Sequence, residues 1–103
     1  MLEQKNLPIQ VFLYCLVDFW KENFSKSPTI SVDIIATNPG SPGKLFRLNN
    51  AAVDYFLNQC ALIDNRFKWT DTLGMRSLAC DQISEVNLDE LLANIYSGKI
   101  KND

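Results

Sequence analysis

The side chains best suited to chemistry lie in the middle of the chain. Lys44, Arg47, Lys68 and Arg76 are of the type that contacts phosphate oxygens, and Asn58 and Gln59 carry the paired donor and acceptor that read adenine edges. Residues 44–76 hold five Lys or Arg against three Asp, a net charge of +2. Residues 1–43 carry −1 and residues 77–103 carry −3. The central third is therefore the candidate basic surface. The whole chain has a net charge of −2 and a pI of about 5.0, which argues against indiscriminate nucleic-acid binding. Phe67 and Trp69 beside Arg66 and Lys68 resemble an aromatic–basic platform for nucleic acid. The same alternation also describes a strand with one face in the core.

Other chemistries are poorly provided for. The chain has no histidine, which removes Ser-His-Asp, Cys-His and His–metal arrangements. Gly40-Ser41-Pro42-Gly43-Lys44 resembles a phosphate loop only in outline. Asn38 stands where the first glycine of that pattern belongs, Leu45 stands where Ser or Thr belongs, and Pro42 lacks an N–H. It reads as a rigid loop between two helices, or as one presenting Lys44 to a phosphate backbone or acidic partner. Asp89-Glu90 reads as helix-start chemistry, and Asp64 and Asp71 as turn residues, so no carboxylate pair is set up for acid–base work. Cys15, Cys60 and Cys80 lie far apart in apolar stretches without a CxxC pair. They read as buried reduced thiols of a cytoplasmic protein. The expectation is no enzyme, cofactor, metal or small-molecule substrate.

The elements that position these residues follow from periodicity. The chain's 103 residues suit one domain, 1–103. A helix is expected from Pro8 to about Phe24, with Pro8 at its first position. Its apolar stripe, widened by Val11, Tyr14, Cys15 and Val17, exceeds one face. Either it is a central core helix, or Val11, Tyr14, Cys15, Phe19 and Trp20 bind a partner protein or second copy. Thr29–Ser31 suits a short strand, and Ser31 suits the cap of a short helix over 32–37. Residues 38–43 break the chain, 45–48 form a short apolar stretch, and Asn49 or Asn50 caps a helix over 51–62. A hairpin follows, with strands near 67–70 and 75–80 about a turn at 71–74. Asn87 caps a closing helix with Gly98 at its end, and residues 99–103 are read as frayed. The N-terminus lacks a secretory pattern, and the longest apolar run, Val11 to Val17, is seven residues, so no membrane span is expected. The order of elements suggests an α+β, winged-helix-like fold: three helices, a two- or three-stranded wing and a C-terminal helix.

Residues 41–79 carry a further signal. Ser41-Pro42-Gly43-Lys44 is followed by Phe46-Arg47-Leu48, a helix, then Trp69, Asp71, Thr72, Gly74, Met75 and Arg76. This run, with the closing LLANIYSG at 91–98, resembles the C-terminal part of an uncharacterised bacterial domain family. That family is encoded beside DNA phosphorothioation (Dnd-type) and related phage-defence genes. Leu73 departs from it, standing where a small residue is common. Family members are longer, so the chain resembles a C-terminal piece, whose absent half would cover the apolar first helix. The resemblance implies a winged-helix-like accessory module without catalytic activity. Under that reading Lys44, Arg47, Lys68 and Arg76 contact DNA phosphates, and Asn58 and Gln59 touch bases. The alternative is a protein-interaction or dimerisation module in the same kind of complex.

Overall fold

Proline opens the first helix because its φ is already fixed and its missing N–H would be unpaired there. In the computed structural model, which describes residues 7–98, α1 spans Ile9–Phe24, and Pro8 is its N-cap rather than the expected first helical residue. The expectations for residues 1–6 and for the 99–103 tail lie outside the described residues. Helix α1 is the centre of the core. Phe12 stacks on Phe56 with ring centroids 5.1 Å apart, and Trp20 meets Phe67 at 6.2 Å.

The wide apolar stripe of α1 is covered within the chain. Two other helices and two short helical turns, all described below, pack around it. Trp20 is 0% exposed and Phe19 is buried as well, so neither belongs to a partner surface as expected. The Trp20 indole N–H donates to the Ser27 carbonyl at 2.9 Å, which satisfies the polar atom of a buried ring. Val11 remains 42% exposed, while Tyr14 and Cys15 are partly buried.

Strand β1 (Thr29–Ser31) leads directly into α2 (Val32–Thr37). Ser31 caps α2 as expected, its hydroxyl accepting from the Ile34 N–H at 3.1 Å. The sequence predicts a loop and an apolar stretch over 38–48, but one helical turn forms there, α3 (Pro42–Leu45). The Ser41 hydroxyl accepts from the Lys44 N–H and donates to the Ile35 carbonyl, joining α3 to α2. Gly43 lets the two backbones touch: a Cβ there would lie 2.2 Å from the Ile35 oxygen. The turn closes with paired bonds, Arg47 N–H to the Lys44 carbonyl and Leu48 N–H to that of Gly43. Those bonds define a Schellman ending, and Arg47 takes its left-handed position at φ 57, where glycine is usual.

Helix α4 (Asn50–Ile63) begins under Asn49, whose side chain accepts from the Ala52 N–H. It buries Val53, Phe56, Leu57 and Cys60. Strands β2 (Lys68–Thr72) and β3 (Met75–Ala79) form the hairpin, and all three strands make one antiparallel sheet ordered β1-β3-β2. Its turn is only Leu73-Gly74, tighter than the expected 71–74. After a 3₁₀ turn at Ile83–Glu85 that the sequence did not signal, α5 (Leu88–Tyr96) closes the chain. Asn87 caps it, accepting from the Glu90 N–H, and Gly98 takes the left-handed position at φ 80. No helix among the described residues is long and apolar enough to cross a membrane.

Candidate nucleic-acid interface

Side chains three or four apart on a helix share a face. On α4 that spacing puts Asp54 and Asn58 one turn apart, and the hairpin lies across them. Antiparallel register sets Trp69 opposite Leu78 and Asp71 opposite Arg76. Trp69 and Arg76 therefore share one face of the hairpin. The Arg76 Nε donates to Asp54 Oδ1 at 2.6 Å, and its guanidinium lies 3.7 Å from the Trp69 ring centroid. The Trp69 indole N–H donates to Asn58 Oδ1 at 3.2 Å. Two residues of α4 thus clamp two residues of the hairpin. Each contact is exposed and is worth about 0.2–1 kcal/mol, so the clamp fixes orientation more than it adds stability.

The aromatic–basic pattern divides along this line. Phe67 is core, whereas Trp69 is half-buried with Arg76 over its ring. Arg76 keeps 56% of its side chain exposed, and its terminal N–H groups take no part in the bond to Asp54. Asn58 is exposed and Gln59 is partly buried one residue on.

The other cations are dispersed. Lys68 alternates with Trp69 and so lies on the opposite face of the hairpin from Arg76. It borders a pocket of about 280 Å³ with Asn65, Arg66, Cys80 and Gln82. Arg66 forks onto the buried Asp64, Nε to Oδ1 at 3.0 Å and a terminal nitrogen to Oδ2 at 2.7 Å. That hydrogen bond raises the Arg66 pKa above its ordinary value. Lys44 is exposed on α3, and Arg47 is exposed in the short connection to α4. A cleft of about 420 Å³ runs from the α4 N-terminus to the start of β3, lined by Asp33, Asn50, Asp54, Met75 and Arg76 among others. The structure thus joins Asn58 to Arg76 and separates both from Lys68. Nothing in the sequence marks Asp54 as the residue that orients Arg76. The i, i+4 spacing of Asp54 and Asn58 was visible, but their pairing with the hairpin needed the register.

The thiols are arranged for packing. Burial raises the pKa of Cys60 far above the ordinary thiol value, and Asp64 adds to the rise. Cys15 and Cys80 are also raised, again chiefly by burial. Each is thereby held as the unreactive neutral form.

These elements define a small α+β domain with a three-stranded antiparallel sheet. The chain belongs to the family described as "Protein of unknown function (DUF4007)", whose model matches residues 1–96, well beyond the run noted in sequence. Two solved structures share the fold, "SspB crystal structure" and "Magnesium ion-bound SspB crystal structure". Each aligns with a TM-score of 0.73 and 23% identity over 93% of this chain. The chain spans 28% of the length of those SspB chains. No curated protein matches.

Proposed function

We propose that this chain is a winged-helix-like, non-catalytic accessory module of a bacterial DNA-modification or phage-defence system, acting in the cytoplasm. It contacts the DNA backbone through the face shared by α4 and the hairpin. The order helix, strand, helix, single-turn helix, helix, hairpin, with the sheet ordered β1-β3-β2, supports a winged helix in which α4 is the presented helix and β2–β3 the wing. The observation that carries the reading is the clamp from Asp54 through Arg76 and Trp69 to Asn58, which holds helix and wing as one rigid surface.

On that surface Arg76 addresses phosphate with the N–H groups Asp54 does not use. Lys44 and Arg47 flank the start of α4, and Lys68 contacts the backbone from the other side of the wing. Asn58 and Gln59 face the bases. Asp54 opposes phosphate, so binding is weak and lacks strong sequence preference. Fluorescence anisotropy with short plain and phosphorothioated duplexes tests this. Salt-sensitive binding supports it, and absence of binding at low salt rejects it.

A second reading is protein contact. It is favoured by Tyr55 and Leu62, 59% and 70% exposed at helical spacing on α4, and by Val11 with the partly buried Tyr14 and Cys15 on α1. It predicts a second copy or a defence-complex protein as partner. Light scattering that shows a monomer at high concentration would exclude the second copy.

A further inference from the structure

Two-residue hairpin turns with positive φ at both central positions favour Asn, Asp or Gly at the first. Here that position is Leu73, at φ 54, followed by Gly74 at φ 79. A branched apolar side chain in the left-handed region is strained. Burial does not offset the strain, because Leu73 is 97% exposed. Local conformation and solvation both disfavour leucine at this tip, and such a conflict points to a role outside the fold. Met75, two residues on, is also half exposed.

We propose that Leu73 is an apolar wedge that enters DNA at a base step from the minor groove, with Met75 following it against the groove wall. The inference rests on the DNA-contact reading above and adds the element that deforms the duplex. Shape favours DNA over a protein pocket. The tip is one side chain wide, since Gly74 has no Cβ and nothing lies within 4 Å of where one would be. A stable protein interface buries roughly 800 Å² on each partner, which a lone side chain on a protruding ribbon does not offer. Inserted Leu and Met side chains are instead a recurring means of unstacking a base step and bending the duplex.

The test compares the full chain with Leu73→Asn and Leu73→Met. Asparagine suits the turn, so Leu73→Asn should melt about 2–5 °C higher than the parent, and a loss of binding cannot then come from unfolding. Anisotropy with a labelled AT-rich duplex should show affinity reduced about tenfold or more, because the apolar contact is lost. The salt slope should stay unchanged, because no phosphate contact is removed. Energy transfer between dyes at the duplex ends should report a bend with the parent and with Leu73→Met, and none with Leu73→Asn. If Leu73→Asn binds and bends like a binding parent, the wedge is wrong and the backbone contact stands. A parent that does not bind at low salt removes both.

Discussion

At Gly43 the contact between α3 and α2 is backbone on backbone, and any side chain there meets the Ile35 carbonyl. Gly43→Ala should destabilise the domain by about 2–3 kcal/mol or more in urea titration. Gly40→Ala, where the added Cβ meets nothing within 4 Å, should cost only about 1–2 kcal/mol from its positive φ. The Ser-Pro-Gly run that resembled a phosphate loop is therefore a docking turn: Ser41 caps it and Gly43 provides the clearance. Cys60 gives a second prediction at this scale. Its pKa is raised in the fold, so above about pH 9 the unfolded chain loses a proton that the folded chain keeps. Stability from this group is complete below the unfolded thiol value and falls as pH rises beyond it, by up to about 1.4 kcal/mol per unit. Urea midpoints at pH 8 and pH 10.5 should fall more steeply for the parent than for Cys60→Ala.

Between elements, the joint of α4 and hairpin carries the proposed function. Trp69→Ala removes both the ring under Arg76 and the donor to Asn58, and should lower the melting temperature by about 4–8 °C. Asp54→Asn separates the structural role of the clamp from its electrostatic one. It weakens an exposed ion pair worth about 0.2–1 kcal/mol while removing a negative charge from the proposed DNA face. Duplex affinity at low salt should rise a few-fold although stability falls slightly; equal affinity would separate Asp54 and Arg76 from the contact surface. Most elements were legible because each is signalled locally: Ser31, Asn49 and Asn87 are caps, and Pro8 and Gly98 mark helix ends. Helix α3 was missed because its signal is tertiary. A four-residue turn has no periodicity, and its stability comes from Ser41 and Gly43 meeting α2. Phe19 and Trp20 were open to misreading for a related reason. A stripe on every side of α1 looks like surplus until α4 and α5 are packed around it.

For the whole molecule, the sequence placed the cations in one third of the chain, but folding distributes them over several faces. Lys68 and Arg76 are eight positions apart in sequence and stand on opposite sides of one hairpin, while Arg66 is engaged by Asp64. Charge counted along the chain could not reveal this, because strand alternation and ion pairing decide which charges add. A surface so dispersed would reach few phosphates at once, which bounds the expected salt dependence to a few contacts. The direct measurement is anisotropy of a labelled short duplex across a salt series, using the full chain and a Lys44→Glu, Arg47→Glu double variant. Binding is expected at low salt with a log–log slope of about −3 to −4, set by Lys44, Arg47, Lys68 and Arg76. The double variant should bind much more weakly with a shallower slope. A parent that does not bind at low salt, or a double variant with unchanged affinity and slope, would contradict it.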